Sequence, residues 1–230
     1  NAELVELNRD LEAKVRLKTI DLDRRAEELK ASYEKIQMIL DGTVLAMSRI
    51  VESRDPYTAG HQQQVTQIAS IIAEKISLPP ERVEAIRISA ALHDIGKISV
   101  PSEILTKPSR LTDLERELVK THSQNAYDIL KAIDFPYPIA DIILQHHERM
   151  DGSGYPQGLK GEEILLEARI VAVADVLEAM SAHRPYRPAL GIEAAMEEIT
   201  RHRGLLYDEN VVDACLEIYR ENGQKGFLSR

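Results

Sequence analysis

Imidazoles and carboxylates on apolar helix faces are the residues of this chain best placed to do chemistry. His61 stands four residues before Val65 and so heads the stripe Val65, Ile68, Ile72 and Ile76. Ile86, Ala90, His93 and Lys97 follow one another at helical steps, with Asp94 beside His93. His122 falls in the row Leu114, Leu118, His122, Ala126 and Ile129, and His146 and His147 lie one helical step beyond Ile142 and Ile143. Asp175 shares a small-residue apolar face with Ala168, Val171, Ala172 and Ala179. Five of the seven histidines and two aspartates are thus predicted to face the interior.

Burying groups that want water is costly unless something binds them. A single inward histidine is more often a hydrogen-bonded core residue than a ligand, but one shared metal cluster accounts for all seven positions at once. Seven ligands exceed the needs of a tetrahedral zinc. They suit two divalent ions about 3.5–4 Å apart, bridged by a carboxylate and a solvent oxygen. Asp94 is the expected bridge, because its neighbour His93 can bind one ion while the carboxylate reaches both. Mixed imidazole and carboxylate ligation points to iron or manganese, with zinc, nickel and cobalt also compatible. Two such ions turn a bridging water into hydroxide at neutral pH and stabilise the attacking and leaving oxygens at phosphorus, so phosphoester hydrolysis is the predicted reaction. Lys97, on the face of His93, is expected to touch a non-bridging phosphate oxygen, its alternative being a solvated side chain near a helix end.

These side chains need a scaffold, and the periodicity is helical throughout: the chain is predicted to be all-α. Residues 1–40 carry dense charge of both signs, with Val15, Leu22, Leu29 and Ile36 seven apart and Leu4 and Leu11 in a second, shorter column. That is heptad spacing, although Lys18, Arg25 and Ser32 weaken the partner column and Asn8 sits in the first. A long coiled-coil helix pairing as a homodimer is predicted for 1–40, and one catalytic domain for 41–230. Asp55-Pro56 is expected to break the helix that continues through Val44, Met47 and Val51, with Gly60 turning the chain before His61. Pro79-Pro80 separates two helices. Thr112 and Glu115 form a capping-box signature, and helices are expected near 191–202 and 208–221.

Composition narrows the field further. A net charge of −9 argues against a nucleic-acid polymer as partner. Cys215, the single cysteine, lies in the apolar pattern Val211, Val212, Cys215 and Ile218, which reads as a buried thiol in a reducing, cytoplasmic compartment. No apolar run approaches the roughly 18–20 residues of a membrane span. The numbering opens at Asn1 without methionine, which suggests a fragment whose upstream part holds a sensor, receiver or membrane domain.

His93-Asp94-Ile95-Gly96-Lys97, His146-His147-Glu148 and the loop Gly154-Tyr155-Pro156 resemble the HD-GYP family of cyclic di-GMP phosphodiesterases, a branch of the HD phosphohydrolases. Arg54-Asp55-Pro56-Tyr57-Thr58 and Arg184-Pro185-Tyr186-Arg187 extend the likeness from about Ser53 to Asn222. The resemblance implies a helical HD-domain bundle, with His61, His93, Asp94, His122, His146, His147 and Asp175 as ligands of two divalent ions. Asp94 and Lys97 would be catalytic, and Lys97, Arg184, Arg187 and Tyr155 would hold cyclic di-GMP, the arginines through bidentate bonds to phosphate or guanine. Some members carry a glutamate four residues before the first histidine and hold a third metal. Tyr57 stands there in this chain, which favours two metals and linear pGpG, with further conversion to GMP open. Two rival readings stand beside this one: an HD phosphohydrolase for another cyclic dinucleotide or nucleotide, and a non-catalytic cyclic di-GMP-binding signalling module.

Overall fold

Helix α1, Ala2–Arg54, runs 53 residues without a break. A computed structural model describes residues 2–54, 60–182 and 189–227, and every structural statement below concerns those residues. The chain divides into two compact units, residues 1–43 and 44–230, so α1 passes from one into the other without a chain break at residue 40. In the first unit the heptad positions Val15, Leu22, Leu29 and Ile36 are all more than half exposed, Leu29 at 72 %. A helix that exposes its apolar residues in this way draws little stability from packing within its own chain. The first buried residues of α1 are Val44, Ser48 and Val51, in the second unit.

The second unit is all helical apart from one isolated bridge between Arg203 and Tyr207. Its helices are α2 (His61–Lys75), α3 (Pro80–Leu92), α4 (Ser102–Leu105), α5 (Asp113–Lys120), α6 (His122–Leu130), α7 (Ile139–Gln145), α8 (Leu166–Ser181), α9 (Ile192–Arg201) and α10 (Glu209–Asn222). No helix is long and apolar enough to cross a membrane. α8 is the axis of the domain. It packs on α2, α3, α7, α9 and α10, burying Ile170, Val171, Val173 and Leu177 together with the charged Glu167, Arg169 and Glu178, as a helix surrounded by others does. Each such side chain contributes about 1.5–3 kcal/mol on burial. Arg169, the buried cation of α8, bonds Asp208 at 2.9 Å and the Ile164 carbonyl at 2.8 Å.

Several local signals act as the sequence predicts. Pro80 opens α3, where a missing N–H costs nothing. Thr112 and Glu115 cap α5 reciprocally, as their signature predicts; the structure adds a cap that the sequence reading did not name, Asp208 on α10, which accepts from the N–H groups of Asn210 and Val211. Cys215 is fully buried, and burial pushes its thiol pKa up. The stripe through Leu114, Leu118 and Ile129 departs from expectation. Leu114 is 81 % exposed, because the chain turns at Thr121 into two helices and the periodicity does not carry across the bend. Beyond the turn the inward face is His122, Ser123, Ala126 and Leu130.

Candidate metal centre

The five inward histidines and two aspartates converge, and most of them stand at helix ends. His61 is the first residue of α2 and His122 the first of α6. His93 follows α3 and His146 follows α7, each as the C-cap, so the His-Asp pair lies at the end of its helix and not within it. Asp94 then begins the 3₁₀ turn Ile95–Ser99. Asp175 alone projects from mid-helix, on α8.

Helix ends explain how the rings are aimed. The last carbonyls of a helix lack an intrahelical donor. The Nδ1–H of His93 donates to the Ala90 carbonyl at 2.7 Å, that of His122 to Val119 at 2.7 Å, and that of His146 to Ile143 at 2.5 Å. A carbonyl only accepts, so Nδ1 carries the proton, and in the neutral form of the ring Nε2 is the nitrogen that presents a lone pair. His61 is anchored through a side chain instead, its Nδ1 meeting the Glu178 carboxylate.

The freed nitrogens point at one another and at the two aspartates. Nε2 of His61 lies 3.8 Å from Asp94 Oδ2 and 3.3 Å from Asp175 Oδ1, and Nε2 of His93 lies 3.5 Å and 3.9 Å from the same two atoms. The other Asp94 oxygen, Oδ1, is 3.7 Å from His122 Nε2. His122 and His146 bring their Nε2 atoms within 3.4 Å. Two groups of donors emerge, His61 with His93 and Asp94, and His122 with His146 and His147, each with its atoms within 4.8 Å of one another. The Asp94 carboxylate faces both groups, one oxygen to each.

Electrostatics fit the same set. Burial, reinforced by the charges of His93 and His122, pushes the His146 pKa down to about 3. Burial and its histidine neighbours hold His147 well below the usual range, and burial lowers His122 against the pull of Asp94. For Asp94 burial favours the neutral acid, but Lys97 and the surrounding histidines outweigh it and keep the carboxyl ionised. Burial likewise opposes the Asp175 carboxylate, and His61 and its fellow rings overcome it. Burial also works against a charged His61, yet Asp175, Glu178 and Asp94 raise its pKa to about 9. Lone pairs that meet at 3.4 Å and two ionised carboxylates in a buried cluster repel unless cations lie between them. The donor set fits divalent metal ions, and His146 and His147, neutral at physiological pH, are ready to ligate.

Lys97 meets the site through its Nζ, 2.7 Å from Asp94 Oδ2. Tyr155 stacks on His147 with ring centres 4.7 Å apart, and its backbone N–H donates to the His147 carbonyl at 3.3 Å. Gly154 is needed for this contact: a Cβ there would stand 2.4 Å from Glu148 Cα and 2.5 Å from the His147 carbonyl oxygen. The Gly154-Tyr155-Pro156 loop, with a cis Tyr155–Pro156 peptide, therefore braces the histidine pair from outside. Tyr57, Arg184 and Arg187 lie outside the described residues.

Two carboxylates went unassigned in the sequence reading. Glu148 is buried and accepts the N–H groups of Gln157, Gly158 and Leu159 at 2.7, 3.1 and 3.0 Å, which pins the loop back onto the histidines. Its place directly after His146-His147 was the available signal. Glu178 is three residues beyond Asp175, a spacing that puts both acids on one face of α8.

An all-helical bundle that closes around a cluster of five histidines and two aspartates, all buried but the half-buried His147 and Asp175, defines a class of metal-binding helical domain. The chain belongs to the HD domain family, whose model matches residues 46–211. It is 40 % identical over 215 residues to the cyclic di-GMP phosphodiesterase response regulator RpfG of Xanthomonas campestris, covering 93 % of this chain and 56 % of that protein. It is 36 % identical over 183 residues to the 3'3'-cGAMP-specific phosphodiesterase 3 of Vibrio cholerae, covering 78 % of this chain and 40 % of that one. Among solved structures, a cyclic GMP-AMP-specific phosphodiesterase of V. cholerae superposes with a TM-score of 0.63 at 18 % identity, over 81 % of this chain and 50 % of that one, a likeness of fold. The chain spans about half the length, or less, of the curated relatives it matches.

Proposed function

We propose that this chain is a metal-dependent phosphodiesterase that hydrolyses cyclic di-GMP to linear pGpG. The observation that carries the reading is the two-sided environment of Asp94, one carboxylate oxygen facing His61 and His93 and the other facing His122. His61, His93, Asp94, His122, His146, His147 and Asp175 hold two divalent ions, iron or manganese by preference, with zinc, nickel or cobalt also suited to the donors. Bound there, the ions supply Lewis acidity and an activated water for attack at phosphorus. The protein's own groups do the rest. The Asp94 carboxylate sets the spacing of the two halves of the site. Lys97, beside it, offers its ammonium to a non-bridging phosphate oxygen and offsets charge as the phosphorus becomes five-coordinate. Arg184 and Arg187 grip the remaining phosphate or a guanine edge, and Tyr155 closes the His147 side. With Tyr57 in place of an acid, two ions and pGpG as the main product are the expectation, with slow conversion to GMP left open.

A second reading has its own support: one relative at 36 % identity carries the name of a 3'3'-cGAMP-specific enzyme. A non-catalytic cyclic di-GMP-binding module is the remaining rival. The deciding experiment incubates chelator-free protein with cyclic di-GMP and, separately, 3'3'-cGAMP, resolves the products by chromatography and counts the metals. Cyclic di-GMP is expected to turn over faster, to pGpG, with about two ions per chain. Preferred cleavage of cGAMP would transfer the assignment to the second reading, and tight binding of intact nucleotide by metal-loaded protein would favour the third.

Residues 1–40 are proposed to form a parallel homodimeric coiled coil, supported by the exposed heptad column. That connector would link the 41–230 phosphodiesterase domain to an upstream regulatory domain in the cytoplasm, as befits a relative named a response regulator. Sedimentation is expected to give a dimer for the whole chain and a monomer once residues 1–40 are removed. A dimer that survives the truncation would move the interface elsewhere.

A further inference from the structure

Four histidines of the cluster have their Nδ1 engaged, and one is held differently from the rest. His93, His122 and His146 each donate Nδ1–H to a peptide carbonyl three residues back, at the end of a helical segment. His61 opens α2, so it has no preceding turn of its own helix to supply that acceptor. Its Nδ1 meets the Glu178 carboxylate, 117 residues away in sequence. Both partners are buried, His61 at 3 % and Glu178 at 9 % exposure. One turn earlier on the same helix, Asp175 Oδ1 lies 3.3 Å from the other nitrogen of the ring. α8 therefore grips His61 at both ring nitrogens, through Asp175 on the inner side and Glu178 on the outer.

Resting on the two-ion reading above, we infer that Glu178 is a positioning residue that selectively strengthens the ion bound by His61. A carboxylate behind an imidazole does two things that a peptide carbonyl does not. It fixes the tautomer more firmly through a charge-assisted bond, and its negative charge makes Nε2 a stronger donor. It also adds a third buried anion beside Asp94 and Asp175, on the side where His61 stands. Behind the His122 and His146 rings the acceptors are instead the Val119 and Ile143 carbonyls. The two halves of the centre should then differ in affinity, with the His61 half held the tighter for as long as Glu178 is present.

The test titrates the metal-stripped full chain with Mn²⁺ under chelator competition, alongside Glu178→Ala, Glu178→Gln and Glu178→Asp. Wild type is expected to take up two ions. Glu178→Ala should bind one of them roughly 10–100-fold more weakly while the other is unchanged. Glu178→Gln keeps an acceptor for Nδ1–H but not the charge, so its loss should be smaller, and Glu178→Asp should recover part of the affinity. A merely structural role would weaken both ions alike or unfold the domain, and would not be rescued in this order. If the alanine variant does not fold by circular dichroism, the isosteric glutamine variant decides, and wild-type affinity for both ions in it overturns the inference. Two ions bound equally well by Glu178→Ala and wild type also overturns it and leaves the two-ion reading intact, whereas no Mn²⁺ uptake by wild type overturns both.

Discussion

Asp94→Ala is expected to lower cyclic di-GMP turnover at least about a thousandfold, which is about 4 kcal/mol of barrier, while the far-UV circular dichroism stays that of the wild type. The size follows from what the carboxylate does at once. Its Oδ2 faces Nε2 of His61 and His93, its Oδ1 faces Nε2 of His122, and Lys97 donates to Oδ2 at 2.7 Å. Removing it takes away a carboxylate whose two oxygens face the two halves of the site and leaves the Lys97 ammonium without this partner. Helical content should survive, because Asp94 lies in the junction after α3 and the apolar packing of α3 is carried by Ala85, Ile86, Ile88 and Leu92. Asp94→Asn sharpens the test, since it keeps the shape and removes the charge. If metal content falls with activity in both variants, the bridge is supported. Near-wild-type turnover in either would show that the two halves of the centre do not depend on Asp94.

The seven candidate ligands were legible in the sequence for a simple reason. A charged or polar residue on an apolar stripe stands out against the stripe, and five helices each showed one or two. What the stripes did not reveal was how the rings are aimed. His93, His122 and His146 are oriented by the unsatisfied carbonyls of helix ends, and where a helix ends depends on packing as much as on local sequence. The turn at Thr121 shows the same limit: no proline or glycine marks it, so the sequence reads as one helix where there are two. Glu178 was harder still. It is one acid among many, and only the fold reveals that the ring 117 residues upstream leans on it. Pattern reading locates groups that must be buried together, whereas the bond that tunes each of them is a fact of tertiary structure.

Gly96→Ala should be the most damaging single-methyl change in the domain. The reason is contact, not backbone conformation: a Cβ at Gly96 would stand 1.9 Å from the carbonyl oxygen of His122 and 2.6 Å from the amide nitrogen of Ala126. Both are backbone atoms of α6, so no side-chain rotation relieves the clash, and the 3₁₀ turn Ile95–Ser99 must separate from α6. Asp94 and His93 lie at one side of that seam and His122 at the other. Overpacking of this kind costs roughly 1–3 kcal/mol, and in a domain of this size about 1 kcal/mol moves Tm by 2–4 °C. A fall of roughly 2–12 °C is expected in a thermal melt. The separation also shifts the two ligand sets by the order of 1 Å, a misplacement that costs about a hundredfold in rate, so activity and metal retention should fall together. Gly42→Ala supplies the contrast, because a Cβ there meets nothing within 4 Å and the residue lies within α1. That change should leave turnover alone and favour the helix by roughly 0.5–1 kcal/mol. A Gly96→Ala protein with the melting temperature and turnover of the wild type would mean that α6 yields without moving His122, and the account of how this seam holds the two halves in register would have to be abandoned.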